Sequence, residues 1–104
     1  MKTKKKISPT RRAVHVDAEP KKDNLRRLAR VEGQVRGIAG MVEEERYCAD
    51  ILVQIRSAQN ALGAVATSLL QNHFRHCATA AFRAGPDERE KMIQELTALF
   101  RAGT

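Results

Sequence analysis

The stretch Tyr-Cys-Ala-Asp-Ile-Leu-Val-Gln-Ile, at residues 47–55, opens an apolar seam that runs toward Asn-His-Phe-Arg-His-Cys at residues 72–77. Positions along the seam are 4, 3, 4, 3 and 4 residues apart, which is the period of one helix face. No proline falls in residues 47–83, and only Gly63 interrupts the pattern. The spacing therefore predicts one long helix over 47–83, with a seam of Ile51, Ile55, Ala58, Leu62, Val65 and Leu69.

Two cysteines and a histidine lie at opposite ends of this predicted helix. Cys48 precedes His73 by 25 residues, which places them about 37 Å apart on a continuous helix, at about 1.5 Å per residue. His73 and Cys77 are four residues apart and share a face. One straight helix cannot bring all three side chains to one metal ion. We therefore hypothesise an antiparallel pair of chains with its two-fold axis near Leu62, where neighbouring small residues allow close approach: Ala58, Ala61, Gly63, Ala64 and Ala66.

Two further helices flank the long one. The first is expected to begin near Asp23 or Asn24 and to end at the acidic run 43–45. The third is expected over Pro86–Arg101, after Gly85 has ended the second. The predicted fold is all-α, a three-helix protomer that forms an antiparallel four-helix-bundle dimer. The apolar seam of the first helix consists of Leu28, Val31, Val35, Ile38 and Val42.

Charge divides the 104 residues into a tail and a helical domain. Of the net charge of +7, residues 1–22 carry +6 from eight basic and two acidic side chains, which leaves +1 for residues 23–104. The lysine run and the two prolines of residues 1–22 predict a disordered basic tail. Residues 23–104 are predicted to form one helical domain that carries the candidate metal ligands. With no membrane-spanning run and no signal-peptide pattern, we expect a cytoplasmic protein.

The candidate ligands form a soft set of two thiolates and an imidazole, which selects Cu(I) or Zn(II) over hard ions. Three ligands suit trigonal Cu(I), whereas Zn(II) or Ni(II) would want another donor. His15 could supply it, while His76 points one helical step away from the His73–Cys77 face. Tyr47 could donate a hydrogen bond to the site or simply pack. No catalytic constellation is evident, and we expect no enzyme.

The chain resembles the CsoR/RcnR family of bacterial metal-sensing repressors. The matching stretches are 27–38, 47–55 and the His73-x-x-x-Cys77 spacing. The resemblance implies an antiparallel dimer that pairs into a tetramer, a dimer of dimers, and that binds operator DNA until its inducer releases it. It also places Cys48 of one protomer with His73 and Cys77 of its partner at the Cu(I) ligand positions.

The resemblance further implies an acidic residue beside the copper ligands in the third helix, and Glu90 and Glu95 are the two candidates. Operator DNA would then be contacted without a common reading motif, through exposed arginines that bind phosphates. Alternatives remain a nickel-responsive repressor of the same family, a copper-buffering protein without DNA binding, and a plain oligomerisation module. The candidate DNA-binding residues are Arg26, Arg27, Arg30, Arg36 and Arg56.

Overall fold

The structure, a computed structural model, describes residues 11–102, and every secondary-structure element in that range is helical. The α-helices are α1 (Ala18–Glu43), α2 (Cys48–Asn72), α3 (Thr79–Arg83) and α4 (Pro86–Ala102), and a π-helical segment (His73–Ala78) joins α2 to α3. Because α2, the π segment and α3 follow one another without a break, the protomer consists of three helical rods. The prediction of an all-α, three-helix protomer is confirmed.

The long central rod extends over almost the whole predicted range, from Cys48 to Arg83, and Gly63 does not break it. Its last part differs from the prediction, because residues 73–78 wind as a π-helix rather than as an α-helix. The rod ends before Gly85, whose φ of +125° is accessible to glycine at little cost. Pro86 then opens α4, which agrees with the predicted third helix to within one residue.

The first helix begins earlier than the sequence indicated. We expected a start near Asp23 or Asn24, whereas α1 starts at Ala18, so residues 18–22 of the predicted disordered tail are helical. Pro20 is tolerated there because the first N–H groups of a helix have no acceptor within it. The amide of Lys21 closes the first turn on the carbonyl of Asp17 at 3.2 Å. Residues 1–10, which contain the lysine run, lie outside the described residues.

A tight turn joins α1 to α2, and the two helices pack as a hairpin. Glu45 has a φ of +56° in this turn, so the chain reverses within four residues. Val31 of α1 is buried against α2, where Ala58 and Val65 are buried. Buried Asn24 donates from Nδ2 to the hydroxyl of Ser68 at 3.1 Å. Gln34 of α1 likewise donates from Nε2 to the hydroxyl of Ser57 at 3.1 Å, so polar cross-links flank a narrow apolar core.

Much of both predicted seams remains exposed in the single chain. Leu28, Val35 and Val42 of α1 and Leu62 and Leu69 of α2 all present large apolar side chains at the surface. Burying one such side chain contributes about 1.5–3 kcal/mol, so a surface of this kind strongly favours association. Within residues 11–102, no helix has both the length and the hydropathy needed to cross a membrane.

Candidate metal centre

Cys48 occupies the first position of α2, directly after the turn, and its side chain is exposed. It lines an open cavity of about 470 Å³ with apolar walls from Val42, Ile51 and Leu52. Tyr47 precedes it and is 74% exposed; its side chain makes no capping hydrogen bond, while its carbonyl accepts from the amide of Asp50 at 3.0 Å. The thiol therefore faces outward at one end of the hairpin.

His73 and Cys77 lie at the other end of the central rod, both within the π segment and both half-buried. The wider turn leaves backbone carbonyls without their α-helical partners, and the hydroxyl of Thr79 donates to the carbonyl of Phe74 at 3.0 Å. Short π segments in helices often coincide with functional sites. Hydrophobic periodicity could not have predicted the π segment, because the apolar spacing of these residues is also compatible with an α-helix.

The ring of His73 has an unusual polar environment. Its Nε2 atom is buried and makes no hydrogen bond, although Oε2 of Glu95 is only 3.5 Å away. The other carboxylate oxygen of Glu95 accepts a hydrogen bond from Arg11 at 3.0 Å. Glu90, the second acidic candidate, instead accepts from Gln94 at 3.5 Å on the exposed side of α4. The structure therefore brings Glu95, and not Glu90, next to the imidazole.

These surroundings fit a metal-ligating histidine. Such residues almost always donate their second ring N–H to a carboxylate, a carbonyl or water, which fixes the tautomer and the ring orientation. His73 has the carboxylate of Glu95 in the right place, and Cys77 supplies a thiol one turn further along the rod. Two thiolates and an imidazole would be a soft donor set, suited to Cu(I) or Zn(II). The residues present therefore fit a soft metal ion.

A single chain nevertheless brings together only part of the predicted ligand set. Cys48 opens α2 and His73 follows its last residue, so about 37 Å of helix separates them at about 1.5 Å per residue. The 25-residue interval corresponds to about seven turns, which puts both residues on one face of the rod. Leu62, exposed and midway between them, lies on that same face.

An N-terminal segment, residues 11–17, lies across the π segment. The amide of Val14 donates to Sγ of Cys77 at 3.5 Å. Asn72 holds the segment from both sides, because it accepts from the amide of Asp17 at 3.3 Å and donates to the carbonyl of His15 at 2.8 Å. Sequence reasoning missed these contacts, since they join residues 55 to 63 positions apart and no local pattern marks Asn72.

His15, the candidate fourth ligand, belongs to a different cluster. Its ring packs edge-on against His76 with 4.7 Å between the ring centroids, and its Nε2 lies 3.3 Å from Asp17. Both carboxylate oxygens of Asp17 are 3.2 Å from Nε2 of His76. This hydrogen bond, more than the nearby positive charges, holds the pKa of the Asp17 carboxyl below its ordinary value. Asp17 is therefore an anion at neutral pH.

The candidate DNA-binding arginines are all exposed, four on α1 and one on α2. Arg26 pairs with Asp23 at 3.1 Å, and Arg36 lies 3.7 Å from Glu32. Exposed pairs of this kind contribute about 0–1 kcal/mol, so a phosphate can replace the carboxylate at little cost. These side chains are thus available to a polyanion; they are Arg26, Arg27, Arg30, Arg36 and Arg56.

Comparison with known proteins shows which family the chain resembles. The family model for metal-sensitive transcriptional repressors matches residues 20–102. The copper-sensing transcriptional repressor CsoR of Bacillus subtilis is 46% identical over 90 residues, which cover 86% of this chain and 87% of that protein. The copper-sensing transcriptional repressor RicR of Mycobacterium tuberculosis is 44% identical over 90 residues, covering 86% of this chain and 94% of RicR.

A solved structure shows the same fold. The crystal structure of the copper-sensing repressor CsoR with Cu(I), from Geobacillus thermodenitrificans, aligns with a TM-score of 0.75 at 38% identity, and the alignment covers 86% of this chain and 93% of that one. The family match extends over most of the described helices and includes Cys48, His73 and Cys77. The chain therefore belongs to the family of metal-sensitive transcriptional repressors.

Proposed function

We propose that the chain is a Cu(I)-responsive transcriptional repressor that binds operator DNA in its metal-free form and is released when Cu(I) binds. The observation that carries the proposal is that Nε2 of His73 is buried, makes no hydrogen bond and lies 3.5 Å from the carboxylate of Glu95. Cys77 follows His73 by about one helical turn. Relatives that share 44–46% of their residues with this chain are named as copper sensors, which supports copper over other metals. Both relatives are named as transcriptional repressors, and neither name denotes an enzyme.

The complete site requires a second copy of the chain. In an antiparallel dimer with its axis near Leu62, Cys48 of one protomer reaches the partner's His73 and the partner's Cys77. The exposed apolar side chains of α1 and α2 supply surface for such a dimer and for its pairing into a tetramer. When bound, Cu(I) would link the two protomers at each end of the dimer by metal coordination. We place this assembly in the cytoplasm.

Cu(I) binding can change the affinity for DNA because the same residues are arranged differently in the metal-free and metal-bound forms. The exposed arginines bind phosphates, a contact that is salt-dependent and largely independent of base sequence. Joining the start of α2 to the partner's π segment favours one relative position of the two rods. DNA is then released only if the metal-bound arrangement of the rods has a lower affinity for DNA than the metal-free arrangement. A coupling free energy of about 1–3 kcal/mol between metal binding and DNA binding is typical.

A mixing experiment tests whether the site lies between protomers. Cys48→Ala protein and Cys77→Ala protein should each lose tight Cu(I) binding. When the two are unfolded together and refolded at equal amounts, random pairing makes half of the dimers mixed, and each mixed dimer has one intact site. We expect recovery of roughly one quarter of the wild-type Cu(I) capacity in a chelator competition. No recovery, despite a normal dimer mass, would show that the ligands come from one chain.

A gel shift tests the response. A tight operator is first selected from random duplex DNA with the metal-free protein. Cu(I) should weaken the wild-type complex by about 5–150-fold at constant salt, and Cys48→Ala should bind the operator without responding. Arg30→Gln should reduce the slope of log affinity against log salt by about one for each protomer that contacts DNA, while Lys91→Gln, on α4 and paired with Glu88, should leave it unchanged.

The same measurements separate the alternatives. Tight Cu(I) binding without a saturable DNA complex would indicate copper buffering instead. X-ray absorption distinguishes the metal, because two sulfurs and one nitrogen correspond to Cu(I), while four or more donors correspond to Ni(II).

A further inference from the structure

We propose that His15, Asp17 and His76 form a second metal site, separate from the thiolate site, which takes a divalent transition-metal ion such as Zn(II). One ligand atom from each of the three residues lies within 4.8 Å of the other two. The site lies where the N-terminal segment, residues 11–17, crosses the π segment. Its ligands come from both, so an ion bound there would fasten the segment to the central rod.

The distances within the cluster suit a metal ion. Oδ1 of Asp17 lies 3.3 Å from Nε2 of His15 and 3.2 Å from Nε2 of His76. Zn(II) bound tetrahedrally at about 2.0–2.1 Å from each ligand requires ligand atoms about 3.3 Å apart. Two sides of the ligand triangle therefore already have the required length. The third side, between the two imidazoles, is at most 4.8 Å, and rotation of the exposed His15 ring would shorten it.

The donor set selects the class of metal. Two imidazoles and a carboxylate are harder than the thiolate set at Cys77 and suit divalent first-row ions such as Zn(II) and Ni(II) rather than Cu(I). His15 is 61% exposed, whereas His76 and Asp17 are 24% and 34% exposed, so the open side faces solvent. Water would complete the coordination on that side.

Asn72 holds the ligands in place before any ion binds. Its side chain accepts from the amide of Asp17 and donates to the carbonyl of His15, which fixes the backbone on both sides of Val16. The competing cation is Arg75, whose guanidinium lies 3.8 Å from Asp17. That pair is exposed, so its net contribution is small and the long side chain can turn away.

The site is tested in full-length Cys48→Ser/Cys77→Ser protein, in which no thiolate can bind the probe. Serine at position 77 retains an acceptor for the amide of Val14. Zn(II) titration by calorimetry should show one ion per chain. Each of His15→Gln, Asp17→Asn and His76→Gln should weaken that affinity at least about tenfold, while the carboxylate control Asp87→Asn, on α4, should leave it unchanged.

A structural readout accompanies the titration. Zn(II) should slow hydrogen exchange in residues 11–17 of the Cys48→Ser/Cys77→Ser protein and leave exchange in the middle of α2 unchanged. The absorption edge of the Zn(II) complex should show two imidazole nitrogens, oxygen and no sulfur. This spectrum needs no further substitution, so it tests the donor types even if a variant fails to fold, while the variants show which histidines supply them.

Three results would overturn the proposal. The first is equal Zn(II) affinity in all variants, the second is a spectrum without imidazole, and the third is loss of binding in His73→Gln but not in His76→Gln. The last would place the ion at the His73 site. Because the thiols are absent throughout, failure of the copper proposal would leave these results unaffected, and failure here would leave the copper proposal intact.

Discussion

His73 obtains its environment from side chains that are distant in the sequence. Glu95 of α4 and, through it, Arg11 of the N-terminal segment complete the polar surroundings of the ring. A buried nitrogen without a hydrogen bond is costly, about 1–3 kcal/mol, unless a ligand reorganises the site. Metal coordination with a donated hydrogen bond to Glu95 would remove that cost.

At this scale, Glu95→Gln should weaken Cu(I) binding by about 10–100-fold, because the amide cannot stabilise the ligating imidazole as a carboxylate does. Glu90→Gln is the matched control, since Glu90 lies on the same helix but on its exposed side. Competition with a Cu(I) chelator measures both. A larger effect of Glu90→Gln would mean that the other acid serves the site.

At the scale of elements, two backbone features position the site. The π segment sets the directions of His73 and Cys77, and the turn at Gly85 returns α4 so that Glu95 reaches the ring. Gly85 has a φ of +125°, where any side chain is strained, although a Cβ there would meet no atom within 4 Å. The requirement for glycine is therefore conformational and not steric.

Gly85→Ala should accordingly lower the free energy of unfolding by about 1–3 kcal/mol. Gly37→Ala is the control, because a Cβ at Gly37 also meets nothing within 4 Å but the residue is in the interior of α1. It should raise the free energy of unfolding by about 0.4–1 kcal/mol. Urea denaturation at one protein concentration compares the two. Equal effects of both substitutions would contradict the argument from φ.

At the scale of the whole molecule, the protomer is elongated, with extents of 56 × 34 × 22 Å, and has little core of its own. Its apolar seams are exposed, and its candidate metal ligands lie at opposite ends of the central rod. A second copy of the chain would bury the seams and bring the ligands together. In the proposed dimer, an antiparallel partner would cover the face of α2 that carries Leu62 and would bring Cys48 to the partner's His73. Assembly and metal binding are then properties of one interface.

Leu62→Glu should therefore raise the dimer dissociation constant at least about hundredfold, because burying an unpaired carboxylate costs several kcal/mol. Asn60→Glu adds the same charge about 200° away around the helix, on an exposed position, and should leave the dimer intact. Sedimentation of the metal-free proteins measures the mass. A Leu62→Glu protein that remained dimeric would place the interface on another face.

The sequence by itself determined the three helices and the candidate ligands Cys48, His73 and Cys77. Apolar period, proline and glycine positions act over a few residues, and they located the central rod and α4 nearly to the residue. Pro20 misled the prediction for α1, because it resembles a tail residue and yet fits the first turn of a helix.

Only the tertiary structure decided which acid faces His73, where His15 lies and how residues 11–17 cross the π segment. Glu90 and Glu95 have equal standing in the sequence, and the packing of α4 against the central rod separates them. Each of these results depends on contacts between residues some 20 to 80 positions apart. Helical periodicity reports the hydrogen bonds and side-chain neighbours within four residues, so pairings at that separation arise only when the rods pack.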